Sequence, residues 1–307
     1  MMNSKDFLSI ADLTPTEVKH IVKKAAELKN GNPIRPLDGK IFALLFEKPS
    51  LRTRVSFEVG IHQLGGECIY LSQKDIGMST REPLSNIAGV LDKWVDAIIA
   101  RVHSHTSLKV LAKYTHVPVI NALSDLEHPC QALSDLLTIQ EKKSTLENVN
   151  VTFVGDGNNV ASSIAIACAS VGTHLTHTSP KGYQIPTKAW EQAIQRGSTS
   201  GSKITWMEIP QDAARNADVI YTDVWTSMGQ EIEHGNRIND FYEYQVNEKL
   251  MRCAKPNAIF MHDMPAHEGE EISKGMLNHP QSVVFDQAEN RLHAQKAILT
   301  SLFTHAN

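Results

Sequence analysis

The chain has 307 residues, with 30 Lys plus Arg against 34 Asp plus Glu and a formal net charge of −4. A content of 41% hydrophobic and 21% charged residues excludes disorder for most of its length and supplies one or two buried cores, so about two domains are expected. There is no Lys/Arg block and no positive excess, which argues against nucleic acid as a partner.

No apolar run approaches the roughly 18 residues of a membrane span, and the opening MMNSKDFLSI lacks the basic and apolar regions of a signal peptide. A cytoplasmic protein without membrane contact is therefore expected. Cys68, Cys130, Cys168 and Cys253 are scattered with no CxxC pair, as reduced structural thiols would be.

Short apolar runs alternate with amphipathic stretches of helical length, which is how parallel sheets with covering helices read. Gly31–Pro36 reads as a loop. Strands are then expected at Ile41–Phe46, Cys68–Leu71, Ala97–Val102 and Val117–Ala122, with helices at Ser50–Leu64, Glu82–Trp94, Ser107–Tyr114 and His128 to about Glu141. A second series follows, with strands at Val151–Val154, His174–Thr178, Lys203–Ile209, Asp218–Thr222 and Ala258–His262, and a last helix at about Gln287–Phe303. Gly197–Gly201 reads as an exposed turn. The pattern predicts two βα-alternating halves that part inside a long helix near residue 140.

Five segments carry side chains suited to chemistry. Ser50-Leu51-Arg52-Thr53-Arg54 sits where a strand gives way to a helix, and hydroxyls and guanidiniums beside the unpaired N–H groups of a helix start can cradle phosphate. Arg52 and Arg54 cannot share a face, so one is expected to meet a ligand and the other a structural carboxylate. The plainer alternative is a capped helix with two solvated arginines.

In His128-Pro129-Cys130-Gln131, Pro129 suits a first helical position and places His128 and Gln131 on one side of the first turn. An imidazole beside a carboxamide suits a small planar carbonyl or amide; capping of the helix N–H groups is the alternative. Asp223 to Gly229 leaves a strand end with a carboxylate for an ammonium group, and His262 to His267 and Asp286 to Arg291 complete the set. Gly155-Asp156-Gly157 starts like a dinucleotide loop, but Val160 stands where the last glycine of GxGxxG belongs. Neither HExxH spacing nor a Cys/His cluster is present, so no metal is expected.

Together and in this order, these segments resemble the aspartate/ornithine carbamoyltransferase family over the whole chain. Its SxRTR pattern is Ser50 to Arg54, HPxQ is His128 to Gln131, DxxxSMG is Asp223 to Gly229, HxxPA is His262 to Ala266, and DQAENRxH is Asp286 to His293. The SMG loop marks the ornithine branch.

The resemblance implies an α/β fold of two domains, each a parallel sheet covered by helices on both faces. Residues 1–138 with the helix 287–307 would bind carbamoyl phosphate, and 139–286 ornithine, in a homotrimer with active sites at subunit interfaces. The implied reaction moves the carbamoyl group of carbamoyl phosphate to the side-chain amine of L-ornithine, without cofactor or metal. By the same resemblance Ser50, Leu51, Arg52 and Thr53 would hold the phosphate, and Arg101 and Arg291 would reach it. His128 would polarise the carbamoyl oxygen and Gln131 would accept from the carbamoyl NH2. Asn159, Asp223, Ser227 and Met228 would bind the amino and carboxylate groups of ornithine.

Two departures stand out. Most ornithine enzymes of the family read HCLP where this chain has His262-Asp263-Met264-Pro265. The backbone at Asp263 and Met264 would still face the carbamoyl group, with Met264-Pro265 as a cis candidate. The Asp263 carboxylate is expected to act near the attacking amine, raising its pKa or accepting its proton. The family's Gln from a neighbouring subunit falls at Gly77, with Ser79, Thr80 or Arg81 as replacements. These departures keep open a carbamoyltransferase for putrescine or an N-acylornithine. A non-catalytic carbamoyl-phosphate-binding paralogue is the rival of another class, disfavoured by the full set of arginines, His128 and Gln131. A nicotinamide-dependent oxidoreductase rests on the incomplete Gly155 loop alone.

Overall fold

The computed structural model describes residues 2, 4–31, 33–76, 82–227 and 229–304. Contacts between Cα atoms divide it into two units, 1–137 with 290–307 and 138–289. The divisions fall inside the helices Pro129–Lys143 and Val284–Phe303.

In the first unit, strands β1 (Ile41–Phe46), β2 (Glu67–Ser72), β3 (Ala97–Arg101) and β4 (Val119–Leu123) form a parallel sheet in the order β2-β1-β3-β4. Central β1 and β3 are buried almost end to end, as their unbroken apolar sequences require, while edge strand β2 is partly exposed. The free edge of β4 is covered by Phe7, whose N–H donates to Val119 O (2.9 Å) and whose O accepts from Asn121 N–H (2.8 Å). Ala43, Leu45, Ile98, Ala100, Leu108 and Leu111 pack together beside this sheet.

In the second unit, β5 (Asn150–Val154), β6 (His174–Thr178), β7 (Ile204–Met207), β8 (Val219–Thr222) and β9 (Ile259–His262) are parallel in the order β7-β6-β5-β8-β9. The helix Asn159–Val171 is buried at every residue from Val160 to Val171. Its Ala and Ser side chains allow neighbours to approach from all sides. Val154, Ile220, Trp225, Phe241, Phe260 and Ile272 form the main apolar cluster of this unit.

Strand order positions the functional loops. In each sheet the chain starts centrally, steps outward, and then crosses to the other side. The reversals lie between β1 and β3 and between β5 and β8. Loops at the carboxyl ends of such neighbours diverge and open a crevice. One crevice receives Glu47 to Thr53 with Arg101; the other receives Gly155 to Asn159 with Asp223.

Several expectations need correction. Gly197–Gly201 is not a turn: the helix Thr187–Ser200 runs through it and stops at Gly201, which adopts φ +80°. Gly197 is buried there because a Cβ would come within 2.7 Å of Ser202 O. The expected strand Lys203–Ile209 is only Ile204–Met207, since Pro210 opens a short helix, Pro210–Ala213. The last helix starts at Val284, ahead of Gln287. A helix at Pro15–Asn30 was not foreseen, although Thr14 and Glu17 form the capping box that announces it.

His177 on β6 is fully buried, with Nε2 3.0 Å from Gly155 O. Burial lowers its pKa from the ordinary 6.5 to about 4, so the neutral ring donates through Nε2–H. The unfolded chain therefore takes up this proton first, and stability falls as pH drops from about 6.5 towards 4. Urea unfolding at pH 7 and pH 5 should show the wild type losing about 2 kcal/mol more than His177→Gln, which keeps a donor for Gly155.

Candidate active site

Ser50 caps the helix Leu51–Gln63 in extended conformation, its hydroxyl accepting from Thr53 N–H at 3.2 Å. Thr53, wholly buried, accepts at its own hydroxyl from Arg101 Nη1 (3.2 Å) and Arg291 Nη2 (2.6 Å). Arg101 ends β3 at a register shift, where Ala100 pairs with Asn121 and Arg101 with Leu123. Such an irregularity turns the strand end towards the crevice. Two guanidiniums and a helix N-terminus thus converge on one hydroxyl, a preorganised anion site. Arg52 is half-buried, with no hydrogen bond or ion pair to the described residues, whereas Arg54 pairs with Glu58 (2.8 Å) and lies 3.7 Å above the Tyr70 ring. Of the two, Arg54 is the one that meets a structural carboxylate.

His128 immediately precedes the helix Pro129–Lys143. Its loop is pinned by Glu127, whose carboxylate accepts from the Ser9 hydroxyl and from Ile10 N–H (3.1 Å). Burial first, then the charges of Arg291 and Arg101, hold the His128 pKa well below the ordinary range. The imidazole is neutral and can polarise an oxygen through an N–H without carrying charge itself. Gln131 donates from Nε2 to Asp135 (2.8 Å) and Ser134 (3.3 Å), while its buried Oε1 accepts nothing from the described residues. That leaves an oriented acceptor.

In the second unit, Asp223 follows β8 and is held by Val224 N–H (2.7 Å) and Asn158 Nδ2 (2.7 Å). Asn158 also caps the helix Asn159–Val171. His262 is wholly buried; Nδ1 accepts from Met264 N–H (2.8 Å), so Nε2 carries the proton and donates to Glu271 (3.1 Å). Ligand atoms of Asp223, His262 and Asp263 lie within 4.8 Å of one another. Two carboxylates side by side favour a cation between them. Met264-Pro265 is cis, and Met264 has φ +57°. Ser227 N–H donates to the Gln230 side chain (3.1 Å).

Gly157 explains itself by packing. A Cβ there would fall 2.2 Å from Ile185 N, and Gly157 N–H donates to Tyr183 O at 2.8 Å. The close approach of the chain's own segment 183–185 accounts for the glycine without a dinucleotide. Asp156 instead pairs with buried Arg237 (3.0 Å), which also donates to Trp225 O (2.9 Å) and so ties the β5 and β8 loops together.

Within the first unit, the structure brings together Ser50, Thr53, Arg101 and Arg291; within the second, Asp223, His262 and Asp263. Asn159 is placed in the first turn of its helix, and Asn158 is the residue bonded to Asp223. Asn158 was legible as an N-cap directly ahead of a helix. Glu271 had no signal, because its bond to His262 depends on a loop that returns. Met228 and the Gly77 to Arg81 segment, with Ser79 and Thr80, lie outside the described residues.

The architecture is a pair of parallel α/β units, with two guanidiniums gathered at a helix start in one and an acidic cluster in the other. Residues 5–141 match the family model for the carbamoyl-P binding domain of aspartate/ornithine carbamoyltransferase, and residues 147–302 match that for its Asp/Orn binding domain. The chain belongs to the aspartate/ornithine carbamoyltransferase family. It is 47% identical over 305 residues to an ornithine carbamoyltransferase of Halalkalibacterium halodurans, covering 98% of this chain and 96% of that one. The solved ornithine carbamoyltransferase of Pyrococcus furiosus superposes with a TM-score of 0.94 at 47% identity, covering 98% of each chain. A solved acetylornithine transcarbamylase, complexed with acetylcitrulline, gives 0.89 at 29% identity, covering 97% of this chain and 99% of that one.

Proposed function

We propose that this chain is a carbamoyltransferase that joins the carbamoyl group of carbamoyl phosphate to the side-chain amine of L-ornithine, giving L-citrulline and phosphate. The observation that carries the reading is the convergence of Arg101 and Arg291 on Thr53, with neutral His128 within their field. Ser50, Thr53 and Arg52, with the backbone N–H of Leu51, hold the phosphate. His128 and Arg101 draw on the carbamoyl oxygen as charge develops, and Gln131 Oε1 accepts from the NH2.

The neutral amine forms the C–N bond, the bond from carbon to the phosphate oxygen breaks, and the proton that the amine gives up is taken by the departing phosphate. Phosphate leaves held by the arginines. Asp223, Asn159, Ser227 and Met228 take the amino-acid end of ornithine, and Asp263 with the backbone of Met264 faces the reacting amine. No cofactor enters this scheme.

The chain's 47% identity to ornithine enzymes, against 29% to the acetylornithine enzyme, supports the free amino acid. Assembly as a homotrimer is supported by an exposed apolar row on the helix Leu51–Gln63, Leu51 (75% exposed), Val55 and Val59, with Ile69 on edge strand β2. Among the described residues no helix is long and apolar enough to cross a membrane, which accords with a cytoplasmic enzyme.

Assays of ornithine, putrescine, lysine and acetylornithine with carbamoyl phosphate should give citrulline as the preferred product. Preference for another amine, or binding without turnover, contradicts the reading. Asp263, beside the ammonium, raises the amine's pKa, so replacing it by Cys should move the rising limb of the pH–rate profile for ornithine to lower pH. Superimposable profiles for the wild type and Asp263→Cys remove that role.

A further inference from the structure

The loop after the cis-proline holds a second cluster that the transfer reaction leaves unused. His267, Glu270 and Glu271 bring an imidazole nitrogen and two carboxylate oxygens within 4.8 Å of one another. His267 Nδ1 stands 3.8 Å from Glu270 Oε2 and 4.0 Å from Glu271 Oε2. These separations are too long for hydrogen bonds. Both oxygens are closed to solvent, yet neither accepts a hydrogen bond from the described residues. Glu271 is 0% exposed, so its Oε2 is a buried acceptor aimed at a half-exposed imidazole. Burying an acceptor without a donor is unfavourable, and a cation seated among the three atoms removes that penalty.

The donor set selects the ion. Hard ions such as Mg²⁺ favour all-oxygen shells with several waters, whereas imidazole with carboxylates suits a first-row transition ion. Tetrahedral zinc with bonds of ~2.1 Å sets its ligand atoms roughly 3.4 Å apart, so the two imidazole–carboxylate separations of 3.8 and 4.0 Å lie close to that spacing and the exposed His267 can shorten them. A further nitrogen stands by: His234 Nε2 is 3.7 Å from Glu270 Oε1.

We propose that His267, Glu270 and Glu271, with His234 at the rim, form a binding site for a zinc-type divalent ion. The site is wired to both loops of the acidic cluster. Glu271 Oε1 holds His262 Nε2 (3.1 Å), and His234 Nδ1 lies 3.1 Å from the Thr226 hydroxyl. An ion here fixes the His262–Pro265 and Asp223–Gly229 loops relative to each other and alters the affinity for the amine substrate. That consequence rests on the carbamoyl-transfer reading; ion binding itself does not.

Metal-stripped protein titrated with ZnCl2 against a chromophoric chelator should take up zinc at a site that His267→Ala and, separately, Glu270→Gln each weaken at least tenfold. MgCl2 should not compete. Equal zinc affinity in the wild type and both variants, or no uptake by the wild type, overturns the site. In the kinetic arm, ZnCl2 should change the apparent KM for ornithine at least threefold in the wild type and leave His267→Ala unaffected. A shift of equal size in both, or in neither, overturns the coupling. Absence of carbamoyl transfer by the metal-free protein contradicts the functional reading while leaving the titration to judge the site.

Discussion

Holding Arg101 and Arg291 on one threonine hydroxyl, at 3.2 and 2.6 Å, brings a nitrogen of each guanidinium within about 6 Å of the other in a buried part of the first unit. At the effective dielectric of a protein interior near its surface, such a pair repels by roughly 3 kcal/mol. A phosphate dianion reverses the sign of that term. Burial first, and then the same field, keeps His128 neutral, and a neutral imidazole is the form that donates to a carbonyl oxygen without demanding a counter-charge of its own. The charge balance of the chain reads differently in this light. The −4 excluded a polyanion surface, yet the first unit gathers Arg101 and Arg291 on one buried hydroxyl.

The second unit repeats the plan with opposite polarity. Strand order again opens a crevice beside a central strand, but the side chains that line it are Asp223 and Asp263, with His262 locked in one tautomer between Met264 N–H and Glu271. Asn158 serves both as a helix cap and as a donor to Asp223, so the capping requirement of one helix also orients the carboxylate. Arg237 braces the same loops from behind.

Much of this was legible in the sequence because it is local. Unbroken apolar runs marked β1 and β3, the Ser50 cap marked its helix, and Pro129 marked the turn that presents His128. The order of strands was not legible: nothing local says that β3 lies beside β1, and it is that neighbour relation which brings Arg101 to Thr53. Arg291 was recognisable as a motif member, but its contact spans 238 positions of sequence. Gly197 misled because glycine and serine suggest a turn, whereas a close approach by Ser202 explains the glycine inside a helix. Gly157, part of the incomplete GxGxxG, likewise owes its missing side chain to a close approach, that of segment 183–185.

The central claim is that the Thr53 hydroxyl preorganises the two guanidiniums for a phosphate. Calorimetric titration of the wild type and Thr53→Val with carbamoyl phosphate, with inorganic phosphate as a second ligand, tests it most directly. The account predicts at least tenfold weaker binding of both ligands by a variant that remains folded, the equivalent of about 1.4 kcal/mol. Unchanged affinity for both would contradict it.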